Sequence, residues 1–268
     1  MKEITATQKI FGTKEWAQYN ENIISGCAHD CRYCYAKTMA VRFHRKSADT
    51  WKQETVDHGK VLKHFTKKKG RIMFPTTHDI TPEHLDCNMK FLSNMLSPGN
   101  EVLIVSKPHY ECIKAICNSF RHYQKNIMFR FTIGSAFDET LKFWEPNAPG
   151  FDERLASLIY AHKAGYQTSI SCEPMLDDKV DVLIPKLLPF VTDAVWLGIG
   201  NQMTGRLRMN GHGDAATMQR WHELEGSQSN GYIRGLYDQL KDDPKIKWKE
   251  SVKKIVGIEI PTVSGLDI

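Results

Sequence analysis

Gly26-Cys27-Ala28-His29-Asp30-Cys31-Arg32-Tyr33-Cys34-Tyr35-Ala36 gathers three cysteines into eight residues, a C-x3-C-x2-C array. Spacings of four and three let one compact loop aim three sulfurs at a common point. Soft thiolate donors select iron–sulfur clusters or zinc. A structural zinc site takes four protein ligands, commonly as two spaced pairs. No second C-x2-C pair exists, because Cys87, Cys112, Cys117 and Cys172 are scattered. His29 is the nearest fourth donor, although its place between the first two cysteines requires a sharp fold-back. Three sulfur ligands on a four-iron cluster leave one iron without a protein ligand, an opening for a small chelating molecule.

Outward from this loop, short β-rich runs alternate with longer helical stretches. Residues 71–76 (RIMFPT), 101–106 (EVLIVS), 127–134 (IMFRFTIG), 167–172 (QTSISC) and 194–199 (AVWLGI) read as strands. Helices are expected over 82–96, 109–123 and 152–164, with an apolar segment at 180–190 and a Pro/Trp-rich loop at 143–150. This rhythm predicts an α/β fold with a parallel sheet of βαβ units. Beyond it, 204–213 reads as a charged, glycine-rich loop. Helices are expected over 214–224 and 233–254, the second a lysine-rich solvated face.

Composition sets the limits. The 268 residues are 41% hydrophobic and 25% charged, enough apolar material for a sizeable core. A net charge of +5 is compatible with an anionic ligand without demonstrating nucleic-acid binding. No apolar run approaches the roughly 18 residues needed to span a bilayer. Residues 1–7 lack the apolar core of a signal peptide, so a cytoplasmic location is expected. Seven cysteines, an odd number, argue there against a disulfide scaffold.

In parallel α/β folds reactive residues gather where strands end. The ends here are Thr76-Thr77-His78-Asp79, Ser106-Lys107-Pro108, Gly134-Ser135, Cys172-Glu173-Pro174 and Gly200-Asn201-Gln202. As a set they point to a binding site, although each residue also suits a turn or helix cap.

The cysteine loop resembles the signature of the radical S-adenosylmethionine superfamily, C-x3-C-x-Φ-C with Φ aromatic; Tyr33 is Φ here. The resemblance implies a partial (β/α)6 barrel over residues 21–205, preceded by an N-terminal segment (1–20) and followed by a C-terminal extension (206–268). It implies a [4Fe-4S] cluster on Cys27, Cys31 and Cys34, with S-adenosylmethionine chelating the fourth iron. An external reductant of flavodoxin or ferredoxin type would supply one electron. The S–C5′ bond would break, and the 5′-deoxyadenosyl radical would take hydrogen from an unactivated C–H bond. The cofactor carries the hard chemistry while the protein orients and shields it.

Within the superfamily the loop is similar to that of the spore photoproduct lyases, C-x3-C-x-Y-C-Y, with both Tyr33 and Tyr35 present. The likeness puts Tyr33 against the cofactor and Tyr35 in a radical-transfer position. Lys107 and Ser135 match polar contacts to S-adenosylmethionine, and Thr77, His78 and Asp79 stand where a Gly-Gly-Glu stretch is expected. The hydrogen-donating cysteine of those lyases corresponds to Thr76 here, which argues against thymine-dimer reversal by that route. Cys172 is an alternative donor, or simply a buried strand thiol. Glu173 is a candidate substrate or ribose anchor, and Asn201, Arg206 and Arg208 are candidate substrate contacts. A nucleotide or nucleic-acid substrate is favoured. The competing expectation is a non-catalytic iron–sulfur or zinc protein that binds nucleic acid through its lysine-rich segment, with His29 as fourth ligand.

Overall fold

Runs of branched and aromatic residues separated by amphipathic stretches fold here into βα units, seen in a computed structural model describing residues 9–266. The first elements are β1 (Tyr19–Asn20), β2 (Ile24–Ser25), α1 (Tyr35–Arg42), β3 (Thr55–Val56) and α2 (His58–Val61). The repeating part comprises β4 (Arg71–Phe74), α3 (Leu85–Leu96), β5 (Glu101–Ser106), α4 (Tyr110–Ser119) and β6 (Ile127–Thr132). It continues with α5 (Asp138–Trp144), α6 (Phe151–Lys163), β7 (Gln167–Cys172), α7 (Val180–Leu187) and β8 (Val195–Leu197). The chain then runs through α8 (Met203–Met209), α9 (Ala215–Ser227), α10 (Asn230–Leu240), β9 (Ile246–Trp248) and α11 (Glu250–Val256).

Seven strands pair in the order β1-β4-β5-β6-β7-β8-β9, every pairing parallel. β1 and β9 are the two edges, so the curved sheet is a partial barrel. β2 and β3 form a separate antiparallel pair beside it. Register brings the strand ends to one rim, with Ser106 opposite Phe131, Thr132 opposite Ser171, and Cys172 opposite Leu197.

Strand alternation sorts side chains onto two faces. Ile72, Phe74, Val102, Ile104, Phe129, Phe131, Ile170 and Leu197 pack outward among the helices. Met73, Leu103, Met128 and Trp196 face the lumen and pack around Trp16. The Trp16 ring lies 5.8 Å from that of Trp196, 4.7 Å from the Arg130 guanidinium carbon and 4.1 Å from Lys249 Nζ. The lumen is therefore a filled core stoppered from the N-terminal side, leaving the strand-end rim as its open mouth.

Three expectations are corrected. Residues 204–213 are mostly helical, because Met203 and Leu207 bury one face of α8. The helix expected at 233–254 is α10, β9 and α11 in succession. Pro244 cannot continue a helix, and Ile246/Lys247/Trp248 alternate as a strand does. That strand extends the sheet to seven. Its lysine run is only partly a solvated face, since Lys249 is fully buried against Glu15 at 2.7 Å and Lys253 is buried too. The Pro/Trp loop begins inside α5, whose Trp144 is core.

Candidate active site

The cysteine loop is shaped before its sulfurs are aimed. Gly26 has φ +99°, and a Cβ there would lie 2.6 Å from the Trp51 carbonyl oxygen and 2.7 Å from that of Gln53. Only glycine allows this approach, which lets Cys27 N–H donate to Trp51 O at 3.1 Å. Turns follow as Asp30 N–H donates to Cys27 O and Cys34 N–H to Cys31 O. The Asp30 carboxylate meets Lys37 Nζ at 2.8 Å, and Cys34 Sγ accepts from Lys37 N–H, capping α1. Asn210, at the end of α8, donates to Arg32 O and Cys34 O, clamping the loop from the other side.

The three sulfurs border a cavity of about 190 Å³ at the mouth, also lined by Tyr33, Thr77 and Lys107. Burial pushes all three thiols up, and the Asp79 carboxylate raises Cys27 further. Left to the protein alone, these sulfurs stay protonated. A soft, multiply charged centre would supply the missing positive charge, so the donor set fits a cluster held by three protein ligands.

Behind the cavity lies a dense ionic network. Tyr33 OH donates to Glu145, which is buried and paired with Arg154 at 2.6 Å. Lys107 Nζ stands 3.9 Å from Glu145 and 3.8 Å from Asp79. Asp79 has both oxygens engaged: Oδ1 accepts from Ser106 Oγ and Lys107 N–H, and Oδ2 meets His29 Nδ1 at 2.7 Å. Although burial pushes it up, Lys107 and His29 hold its carboxyl well below the usual range. His78 is neutral, pushed down to about 4 by burial, and its Nε2 accepts from Ile23 N–H.

Cys27, Cys31, Cys34, Tyr33, Tyr35, Thr77, His78, Asp79 and Lys107 thus line one cavity. The remaining candidates do not. Ser135 is buried, donating to Asp177 and accepting from Phe137 N–H. Cys172 is fully buried on the helix side of the sheet, its thiol pushed up by burial, and does not face the lumen. Glu173 faces the lumen 3.5 Å from Lys249. Arg206 stacks over the Tyr35 ring at 5.3 Å, whereas Asn201 and Arg208 are exposed. Sequence reasoning missed Glu145, Arg154 and Asn210; nothing local to them signals a partner so distant in the chain. It also missed Trp51, whose indole packs against Cys27.

No family model and no curated protein matches the sequence. Among solved structures the chain is similar to spore photoproduct lyase mutants, each match covering 91% of this chain and 79% of the other at 16% identity. The one with a dinucleoside spore photoproduct has a TM-score of 0.59, and one that also carries bound AdoMet has 0.56. Streptococcus suis SuiB bound to S-adenosylmethionine is similar over 92% of this chain and 52% of its own, at 12% identity and a TM-score of 0.50. The fold is the partial barrel of these radical S-adenosylmethionine enzymes.

Proposed function

We propose that this chain is a radical S-adenosylmethionine enzyme acting on a nucleotide or nucleic acid. The observation that carries this reading is the convergence of Cys27, Cys31 and Cys34 on one cavity, beside Lys107, at the mouth of a parallel partial barrel. When bound, a [4Fe-4S] cluster with S-adenosylmethionine supplies one-electron cleavage to a 5′-deoxyadenosyl radical that removes hydrogen from an unactivated C–H bond.

Cys27, Cys31 and Cys34 would hold the cluster. The Lys107 ammonium, reaching the cavity between two carboxylates, attracts the cofactor's carboxylate, and the Thr77 hydroxyl lies on the same wall. Asp79 and His78 act as positioning residues, since their polar atoms are already used within the protein. Glu145 fixes the Tyr33 ring in the wall. Tyr35, with Arg206 stacked upon it, and Glu173 flank the mouth where substrate enters. Trp16 keeps water from the opposite end of the lumen. Ser135 and Cys172 take no part, so the hydrogen donor, if one is used, comes from elsewhere.

A nucleotide-type substrate draws support from the similar lyase that carries a dinucleoside and from the Arg206–Tyr35 stack, a surface suited to an anionic, aromatic ligand. An external one-electron reductant and a cytoplasmic setting complete the reading. The zinc alternative keeps one support, since ligand atoms of Cys27, His29 and Asp79 lie within 4.8 Å of one another, although His29 already meets Asp79 at 2.7 Å and His109 at 2.9 Å. Anaerobic reconstitution followed by dithionite and S-adenosylmethionine should release 5′-deoxyadenosine. Cys31→Ala should abolish it together with the cluster's Mössbauer signal. A colourless zinc protein that makes no 5′-deoxyadenosine sinks the proposal.

A further inference from the structure

The outer wall of the cysteine loop carries a compact basic surface around one exposed aromatic ring. Cys34 caps α1, and the helix ends at Arg42. Arg42, Phe43, His44 and Arg45 are then exposed in succession, with Phe43 at 57%. The guanidinium carbons of Arg42 and Arg45 lie 5.8 and 5.7 Å from the Phe43 ring centre. Lys46 Nζ donates to Gln53 O, which ties this turn to the segment bearing exposed Lys52. Asp49 is the one acidic residue between positions 42 and 53. Beneath the patch, Trp51, only 3% exposed, packs with Cys27, Cys34 and Ala40 in an apolar cluster of its own.

We infer that this patch is the docking surface for a small acidic one-electron carrier of the flavodoxin or ferredoxin class. The inference rests on the function proposed above. Cations ringing an exposed ring complement an acidic partner and steer its approach. Cys34 and Phe43 cap the two ends of α1, nine residue steps or roughly 14 Å apart at about 1.5 Å per step, and Trp51 packs against Cys34 and Ala40 of the same segment. Redox encounters are small, below about 1,200 Å², in keeping with a handful of side chains around one ring. A nucleic acid gains affinity from many phosphate contacts along a longer track, which this short turn does not offer. At this surface one electron leaves the reduced carrier, which is oxidised by one equivalent, and enters the three-cysteine site. No atom or proton is exchanged.

The test uses the full-length, anaerobically reconstituted protein, with reduced flavodoxin or dithionite as alternative electron sources. Arg42→Glu/Lys52→Glu changes two patch residues that line neither the cavity nor the mouth. At low ionic strength it should slow flavodoxin-driven 5′-deoxyadenosine formation about tenfold or more. It should weaken flavodoxin binding by calorimetry to a similar degree, and leave the dithionite-driven rate and visible absorbance unchanged. Phe43→Ser should weaken binding at high salt as well. Unchanged flavodoxin affinity in the double variant overturns the assignment. So does loss of affinity for a short single-stranded oligonucleotide while flavodoxin affinity stays intact, which gives the patch to nucleic acid. Failure of the wild type to cleave S-adenosylmethionine with dithionite counts instead against the proposed function, and the calorimetric titration still decides the docking surface.

Discussion

Arg154→Met removes the partner of a carboxylate that has no access to water. Arg154 and Glu145 are both fully buried, with Nη2 and Oε2 2.6 Å apart. Breaking one half of such a pair costs about 3–5 kcal/mol, because the surviving charge stays desolvated. The guanidinium also donates to Pro149 O at 2.7 Å and Thr132 O at 3.1 Å, and each orphaned carbonyl adds about 1 kcal/mol. Lys107 Nζ, 3.9 Å from Glu145, offsets part of the loss. A net destabilisation of about 4 kcal/mol is expected, read as a lowered urea midpoint at constant slope. Glu145→Gln/Arg154→Met should recover a substantial part, since the orphan charge is gone. Burial pushes the Glu145 carboxyl up, but Arg154 and Lys107 overcome it and hold it below the usual range. Its stabilisation is therefore present above the unfolded value, about 4.5, and lost as pH falls through the folded one. Arg154→Met should lose that acid sensitivity. A single-variant cost under about 1 kcal/mol, or a double variant as unstable as the sum of the singles, refutes the argument.

Lys107→Met should weaken S-adenosylmethionine binding about tenfold to a hundredfold by calorimetry while the cluster absorbance persists, the value of one charged hydrogen bond; unchanged affinity removes Lys107 from the site. Gly26→Ala forces an L-residue into left-handed backbone at a cost of about 1–2 kcal/mol and drives its Cβ into two carbonyl oxygens. Iron content after reconstitution should fall sharply, whereas Gly59→Ala, whose Cβ would meet only the Asp57 side chain at 3.4 Å, should retain it. Burial raises Glu15 to about 7 despite Lys249, so the folded state holds a proton that the unfolded chain releases above about 4.5. Stability from this group is lost as pH rises through that window, and Glu15→Gln should remove the loss. His78 acts oppositely, its contribution growing between about 4 and 6.5, so urea midpoints across that range should rise more steeply in Glu15→Gln than in wild type.

The cysteine loop and the strand series are legible in the sequence because spacing fixes where ligands point and buried parallel strands read as apolar runs. The lumen is harder to read, since Met73, Leu103 and Met128 are as apolar as their outward neighbours and alternation is silent there. Parity does place Cys172. Ser169 and Ser171 share the polar, inward phase, so the residue after them faces the helices. The C-terminal lysines misled for a physical reason. Lys241, Lys245, Lys249 and Lys253 repeat every four residues, the stripe of a solvated helix, yet Pro244 breaks the run and Lys249 enters the lumen. Thr77, Asp79 and Lys107 were visible as strand-end residues. What the sequence could not convey is that Asp79 is already saturated by its neighbours, nor that Glu145 reaches Tyr33 from 112 residues away.

The stopper and its clasp come from opposite reaches of the polypeptide. Lys249 Nζ donates to the Gly12 carbonyl across 237 residues, and Ile10 N–H reaches Pro261 O. Both contacts form only once residues 249–261 have been made. β9 pairs with β8 at the sheet edge, so that edge is completed only when residues 246–248 are in place, long after the cysteine loop and the strands around it.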